Sequence, residues 1–343
     1  MRHLLNTLYV MTEDAYLALE GENVVIQQEK SELARLPLHG LEGILSFSYR
    51  GASPALMGAC ADHGIDLCFM RPNGRFLARV CGKSRGNVLL RKMQYQVSED
   101  ASASLVIGRN MLIGKLYNSR WVLERATRDH ALSVNVDRIK VDSAQIKESL
   151  AKLEAADTAD SLRGIEGDAA AEYFGVFDEL ILSEDEAFRF SGRNRRPPLD
   201  CINAMLSIAY ALLTGSCTSA LESVGLDPYV GFVHSDRPGR ESLALDLMEE
   251  LRSVVADRFV LYCVNNRVVN RSMFEKSGSG AVSLTEKGRR VFLKTWQDRK
   301  KEALTHPFLK EKIPWGLVPY VQALLLARFL RGDLDAYPPF LWK

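Results

Sequence analysis

The chain has 343 residues, with 44 Lys and Arg residues against 43 Asp and Glu residues, which gives a formal net charge of +1. A nearly balanced charge excludes a protein whose whole surface is basic for nucleic-acid binding, although it permits local basic patches. The length exceeds what one hydrophobic core usually serves, so two domains are expected.

The six cysteines are scattered along the chain, without a C-x-x-C pair or the spacing of a zinc site. Reduced, buried thiols are therefore expected rather than disulfides. The apolar run at residues 4–11 is short and is soon followed by Glu13 and Asp14, which is a poor match to a signal peptide. No other stretch of transmembrane length is expected. These features predict a cytoplasmic protein.

The first part of the chain, up to about residue 84, has the pattern of short β-strands separated by turns. Gly21-Glu22-Asn23 and Pro72-Asn73-Gly74 have the composition of hairpin connections. Ser53 predicts the start of one helix, and Gly64 predicts its end. The predicted strands cover residues 4–11, 15–20, 24–28, 44–48, 65–70 and 76–81.

After about residue 84 the apolar residues recur at helical spacing. The two parts together predict an α+β protein of two domains, with a small β-sandwich-like domain at residues 1–84 and an all-α-helical domain at residues 85–343. The predicted helices cover residues 88–96, 105–127, 144–156, 167–180, 200–213, 243–258, 286–303 and 318–330.

Two basic segments in the helical part are candidates for contacts with phosphate groups. One is a loop at residues 191–198, whose glycine and prolines prevent regular structure, and the other is the segment 287–301. A single charge run is more often a solvated surface, so the phosphate interpretation depends on these two segments together with a third basic run at residues 71–92. The candidate side chains are Arg193, Arg195 and Arg196 in the loop and Lys287, Arg289 and Arg290 in the second segment.

Residues 231–252 place one histidine shortly before a helix that carries several carboxylates. His234 lies in a predicted loop, and Asp246 and Glu249 fall three residues apart on one helix face. Asp246 stands in an apolar stretch, where a carboxylate needs a cation or hydrogen-bond donors. Taken singly, such residues are more often a hydrogen-bonded loop histidine and acids on a solvated helix face.

Glu166 lies between two glycine-containing breaks, which predicts that it stands at the start of a helix, where a carboxylate interacts favourably with the helix dipole. Its interaction with the helix dipole would alone explain a glutamate at position 166, without any metal. One imidazole together with two or three carboxylates is typical of Mg²⁺ or Mn²⁺ with open water positions, and not of a closed zinc site or an all-oxygen calcium loop. Such an ion makes phosphodiester chemistry the leading reaction class.

Five segments are jointly specific for one family. Essentially end to end, the chain resembles the CRISPR-associated adaptation integrases, which are metal-dependent DNA endonucleases that insert new spacers. The resemblance implies a small N-terminal β domain with a role in dimerisation and an α-helical catalytic domain. It also implies a homodimer that joins a small partner subunit. The matching segments are residues 163–174, 192–200, 203–207, 231–234 and 242–252.

The resemblance also implies which side chains bind the metal. The positions that match the family's three ligands are Glu166, His234 and Glu249, and the cofactor would be Mg²⁺ or Mn²⁺. Asp246 matches the preceding acid of the same helix and is a fourth candidate. Helix spacing does not choose between Glu249 and Glu250, and only the family match favours Glu249.

The reaction implied by the resemblance is transesterification, in which the 3′-hydroxyl of an incoming DNA fragment attacks a phosphodiester at the end of a repeat. Double-stranded DNA would be held through its phosphates, largely without recognition of its sequence. Two other hypotheses stay open on the sequence. One is a stand-alone, transposon-like integrase of similar fold, and the other is a non-catalytic scaffold that only binds nucleic acid.

Overall fold

The computed structural model describes residues 6–12, 14–29, 31–71, 76–82, 88–194 and 196–343. Three features expected from the sequence lie outside the described residues. They are the turn at Pro72-Asn73-Gly74, the domain boundary near residue 84 and the candidate phosphate contact Arg195.

The N-terminal part contains two β-sheets and one helix, α1. One sheet is antiparallel and has the order β2-β3-β4, while the other has the order β1-β5-β6-β7, with β1, β5 and β6 parallel. All six predicted strands are confirmed, and β4 was not predicted. The elements are β1 (Thr7–Val10), β2 (Tyr16–Glu20), β3 (Asn23–Gln28), β4 (Ser31–Pro37), β5 (Gly43–Ser46), α1 (Pro54–His63), β6 (Asp66–Met70) and β7 (Phe76–Arg79).

Helix α1 connects the parallel strands β5 and β6, as a parallel pair requires. Its predicted ends are confirmed, since the Ser53 hydroxyl accepts a hydrogen bond from the Leu56 amide at 3.2 Å and Gly64 closes the helix at a φ of 69°. The core formed by the helix and both sheets includes the fully buried Leu17 and Ile44. The packed helix distinguishes this domain from a simple β-sandwich.

The rest of the chain is mostly helical, but it also contains two short hairpins, so the prediction of an all-helical domain is wrong in that respect. The helices are α2 (Val88–Glu99), α3 (Ala101–Asp129), α4 (Val136–Ala155), α5 (Ala159–Gly175), α6 (Cys201–Val224), α7 (Ser242–Leu251), α8 (Arg258–Asn265), α9 (Glu286–Lys301) and α10 (Val318–Leu330), and the hairpins are β8 (Phe274–Lys276) with β9 (Val282–Leu284) and β10 (Ala303–Thr305) with β11 (Lys312–Pro314).

Helix α5 begins earlier than predicted, because Thr158 caps it by accepting a hydrogen bond from the Ser161 amide at 3.1 Å. Glu166 therefore lies in the middle of a helix, and its expected place at a helix start is wrong. A glycine inside a helix costs only about 1 kcal/mol relative to alanine. Burial of residues such as Leu162 and Tyr173 offsets that cost.

Helix α6 is long and apolar enough to cross a membrane by length and composition, contrary to the expectation that no such stretch exists. Within it an 18-residue window has a mean hydropathy of 1.4, and 61% of that window is buried inside the fold. The buried core helix of a soluble protein can have the same length and apolar composition. The packing of α6 against α7 and α10 places it in the core of the helical part.

The predicted helix at residues 243–258 is divided by a π-helical segment, Arg252–Asp257, which leads from α7 directly into α8. Such segments change the direction of the side chains that follow them and are frequent at functional sites. In this protein the segment separates the acids of α7 from the basic start of α8.

The C-terminal segment, residues 337–342, is attached to α7 through Glu250. One carboxylate oxygen accepts a hydrogen bond from the Phe340 amide at 2.8 Å, and the other accepts one from the Gln322 side chain at 3.1 Å and one from the Tyr337 hydroxyl. Asn118 of α3 donates to the backbone oxygens of Glu250 at 2.7 Å and of Phe340 at 2.6 Å. These contacts join α3, α7, α10 and the C-terminal segment.

Glu250 makes the stability of this attachment depend on pH. Burial raises the pKa of Glu250 to about 7, although its three hydrogen-bond donors act in the opposite direction. The folded state therefore binds the proton more tightly than the unfolded chain does. The contribution of the protonated Glu250 side chain to the free energy of unfolding is complete below the ordinary carboxyl pKa, near 4.5. It is lost as the pH rises through about 7.

We expect Glu250→Gln to reduce this pH dependence, because the amide cannot ionise. Between about pH 5 and about pH 8, the free energy of unfolding of the wild type should fall by roughly 2 kcal/mol more than that of the variant. Urea unfolding of both proteins at the two pH values measures the difference. Parallel pH dependences would show that the carboxyl group of Glu250 does not titrate in this range.

Candidate metal centre

Asp246 of α7 fixes the loop that carries His234. This fully buried carboxylate accepts hydrogen bonds from the backbone amides of Phe232, Val233 and His234, at 2.6, 2.9 and 3.0 Å. It also accepts one from Nδ1 of the His234 ring, at 2.6 Å. Since an ionised carboxylate only accepts, Nδ1 is the donor in this contact, and Nε2 is the ring nitrogen that remains for a ligand. Asp246 is thus placed to orient His234.

The loop reaches Asp246 only because residue 231 has no side chain. A Cβ atom at Gly231 would lie 2.7 Å from Oδ2 of Asp246 and 2.9 Å from the Cβ atom of Ser242. Both distances are shorter than van der Waals contact. The glycine in Gly231-Phe-Val-His234 therefore allows the close approach that the four hydrogen bonds to Asp246 require.

Glu249, one helical turn after Asp246, lies in a cluster of buried charges. One of its carboxylate oxygens accepts a hydrogen bond from Arg252 at 2.6 Å, and the other lies 2.6 Å from the ammonium group of Lys115. The same ammonium group contacts the carboxylate of Glu166. Lys115 on α3 thus connects the acids of α5 and α7.

The basic neighbours keep Glu249 ionised although it is buried. Burial alone would raise the pKa of Glu249, but the charges of Arg252 and Lys115 outweigh it and, with a smaller contribution from His234, lower the pKa to about 2. The carboxylate is therefore negatively charged at neutral pH. This is the state in which a carboxylate binds a metal ion.

The ammonium group of Lys115 contacts the carboxylates of both Glu166 and Glu249. It therefore lies where a metal ion bound by both carboxylates would lie. Among the described residues, no group of three or more His, Cys, Asp and Glu side chains is close enough to hold a metal ion. The buried oxygen of Glu249 that lies beside the ammonium group forms no well-directed hydrogen bond, and a metal could use this acceptor. Glu166 and His234 keep 26% and 30% of their side-chain surface exposed.

One imidazole nitrogen and two carboxylates fit Mg²⁺ or Mn²⁺ by their chemistry. The place of Lys115 in this cluster was not predicted from the sequence. The available signal was a single basic residue in the otherwise apolar run at residues 111–116 of a predicted helix. Such a residue needs a buried acid nearby.

Glu250 faces away from this cluster. Its carboxylate is occupied by the contacts with the C-terminal segment described above. Helix spacing left open whether Glu250 joins the metal site, and these contacts favour a structural role for its carboxylate.

The candidate phosphate contacts differ in their exposure. Arg289 is only 6% exposed, and its contact with DNA stays a prediction. Arg193 is directed inward, donating to the Asn203 side chain at 2.6 Å and lying 5.2 Å from the centre of the Tyr210 ring. Arg290 is exposed and paired with Glu286 at 2.9 Å, while Arg196 and Lys287 are exposed and stay predictions.

Two solved structures have the same fold as this chain. A structure described as a casposase bound to integration product covers 98% of this chain and 93% of its own, with a TM-score of 0.85 and 22% identity. A chain in a Cas6-RT-Cas1–Cas2 complex is matched over 98% of this chain and 36% of its own, with a TM-score of 0.81 and 22% identity.

Two relatives in sequence are similar over their full length. A protein of Rhodospirillum rubrum named CRISPR-associated endonuclease Cas1 2 is 50% identical, and one of Chlorobaculum tepidum named CRISPR-associated endonuclease Cas1 1 is 45% identical. In both comparisons the whole of each chain is covered. Residues 8–298 match the family model of the CRISPR associated protein Cas1, so this chain belongs to the Cas1 family.

Proposed function

We propose that the protein is a metal-dependent DNA endonuclease and integrase of CRISPR adaptation, in which Glu166, His234 and Glu249 hold Mg²⁺ or Mn²⁺. The observation that carries the proposal is the pair of carboxylates from α5 and α7 that share the Lys115 cation. An oriented imidazole is presented by the neighbouring loop. The names of the two full-length relatives support the endonuclease part of the proposal.

Some side chains of the site would bind the metal, and others orient these ligands or keep them ionised. Arg252 and Lys115 keep Glu249 ionised, and Asp246 holds the His234 ring through Nδ1, so Nε2 is the nitrogen left to bind a metal. When bound, a divalent ion would supply charge stabilisation for the reacting phosphate oxygens. In strand transfer, a DNA 3′-hydroxyl attacks phosphorus while the 3′-oxygen of the target strand leaves, so one phosphodiester forms and one breaks. Hydrolysis uses water as the nucleophile.

The proposed partners are double-stranded DNA, a second copy of this chain and a small partner subunit. Support comes from the solved structures of similar fold, one bound to an integration product and another in a complex with Cas2. The exposed Arg196 and Lys287 stay candidates for contacts with the DNA phosphates. A non-catalytic scaffold would not need a buried, ionised Glu249 next to an oriented histidine.

The ligand assignment is tested by Glu249→Gln and His234→Ala, each compared with Glu250→Gln. The first two variants should lose strand transfer roughly a hundredfold or more, because each removes a metal ligand. Glu250→Gln alters the next residue of the same helix on its other side and should retain activity. The assay is integration of labelled DNA into a supercoiled repeat plasmid with Mn²⁺ and the partner subunit. Full activity of folded Glu249→Gln and His234→Ala would refute the assignment.

The orienting role of Asp246 is tested by Asp246→Asn. The NH₂ group of the asparagine side chain would face backbone N–H groups that now donate to Asp246. Two donors cannot form a hydrogen bond with each other, so the loop and His234 should lose their fixed position. We expect Mn²⁺ affinity to fall about tenfold to a hundredfold, as for other groups that orient a metal-binding histidine. Electron paramagnetic resonance measures free Mn²⁺ directly. A protein that binds Mn²⁺ as tightly as the wild type would contradict this role.

Lys115→Met tests whether the ammonium group takes the place of a metal cation. Without metal, the variant should lose about 2 kcal/mol of unfolding free energy, because Glu166 and Glu249 would repel each other across the gap. With saturating Mn²⁺ most of this loss should be recovered, and Mn²⁺ affinity should exceed that of the wild type. Calorimetric unfolding with and without MnCl₂ provides the comparison. Equal loss in both conditions would mean that Lys115 is purely structural.

A further inference from the structure

A basic cleft lies apart from the carboxylates of the proposed metal centre. It is formed by the start of α8, the end of α9, the β10–β11 hairpin and the C-terminal segment. Its cavity volume is about 580 Å³, and we call it the Trp342 cleft. Its one acidic lining residue, Glu302, is paired with Arg299. The side chains that define the cleft are Arg258, Arg299, Lys310, Trp315, Trp342 and Lys343.

Two arginines beside the Trp342 ring form no ion pair with an acid in the part of the chain that the structure describes, and only the more distant charge of Asp129 attracts both. The guanidinium carbons of Arg125 and Arg258 lie 3.8 and 4.3 Å from the centre of the Trp342 ring. Nε of Arg125 and Nη1 of Arg258 are buried without a hydrogen-bond partner. Asp129, one turn beyond Arg125, is paired with Arg128 at 2.7 Å.

The Trp342 ring compensates these charges only in part, since a cation–π contact is weaker than a buried ion pair. Burial and the charges of Arg299 and Arg125 lower the pKa of Arg258 to about 10. Burial and Arg128 also lower the pKa of Arg125. Like charges are therefore held together in a partly desolvated place, and an incoming anion would relieve their repulsion.

The cleft and the cavity beside the proposed metal centre are lined by consecutive residues of the chain. Asp257 lines a small cavity together with Lys115 and Arg252, and the next residue, Arg258, lines the Trp342 cleft. Along α3, Lys115 and Arg125 are separated by about 15 Å, from the rise of an α-helix. A strand that extends from the metal centre for a few nucleotides could therefore reach both places.

We propose that the Trp342 cleft binds a backbone phosphate of the DNA on which the metal centre acts, with Arg258 and Lys310 as the donors to its oxygens. The planar guanidinium group matches the geometry of phosphate oxygens, and the rim lysine adds charge on the open side. This inference rests on the proposed function for the identity of the ligand, but not for the presence of an anion site.

The anion site is tested first with inorganic pyrophosphate, in the full-length protein without metal. Pyrophosphate should raise the unfolding temperature of the wild type and of Arg331→Gln, a matched control whose arginine is exposed and paired with Asp333. It should not raise that of Arg258→Gln. The free Arg258→Gln variant should be at least as stable as the wild type, because an unbalanced buried charge has been removed. Equal stabilisation of all three proteins by pyrophosphate would overturn the site.

The nature of the ligand is tested by fluorescence anisotropy with a labelled DNA duplex over a range of salt concentrations. Arg258→Gln should bind about tenfold more weakly than the wild type, and its salt slope should be smaller by about one phosphate contact. Lys310→Gln, at the exposed rim where folding is not at risk, should reduce the slope in the same direction. Arg331→Gln should match the wild type. A wild-type slope in Arg258→Gln and Lys310→Gln would refute a DNA phosphate as the ligand.

Failure of this inference can be distinguished from failure of the proposed function. If Arg258→Gln and Lys310→Gln keep wild-type DNA binding while Glu249→Gln abolishes strand transfer, the cleft proposal is wrong and the metal centre stands. If the wild type shows no metal-dependent strand transfer but Arg258→Gln still weakens DNA binding, the cleft binds DNA and the proposed reaction is wrong.

Discussion

The arrangement of the helical part depends on the compensation of three buried acids on the ten-residue helix α7. Asp246, Glu249 and Glu250 are all at most 5% exposed, and a carboxylate buried without partners is strongly unfavourable. Each acid is satisfied by a different part of the chain. Asp246 accepts from the His234 loop, Glu249 pairs with Lys115 and Arg252, and Glu250 accepts from the C-terminal segment. Helix α7 therefore fixes these parts relative to one another.

Much of the fold could be predicted from local signals. The strands of the N-terminal part and the ends of α1 depend on turn residues, Ser53 and Gly64, which act within a few positions of the chain. Strand β4 was missed because most of its residues are exposed and it lacks an apolar alternation. The parallel pairing of β1, β5 and β6 has no local signal, since it depends on the crossover through α1.

In the candidate site, only the side chains proposed to bind the metal and the buried acid beside them could be predicted from the sequence. His234 and Glu249 could be chosen from their motifs, and the apolar neighbours of Asp246 correctly indicated a buried acid that needs donors. The roles of Glu250 and Lys115 could not be predicted, because α7 is buried on almost every side and helix spacing does not state which neighbour each face meets. For the same reason Arg289 resembled a surface charge, although it is buried in the fold.

The π-helical segment Arg252–Asp257 limits how this region can change in length. Arg252, at its start, pairs with Glu249, whereas Arg258, just after its end, lines the Trp342 cleft. Each π-helical residue turns the chain by roughly 80°, against roughly 100° in an α-helix, so five α-helical residues would turn it about as far as these six. Loss of one residue with a return to α-helical hydrogen bonds would therefore keep the direction of Arg258, whereas insertion of one residue would rotate α8 relative to α7 and direct Arg258 away from the cleft. Between the two sites, the chain therefore tolerates the loss of a residue better than a gain.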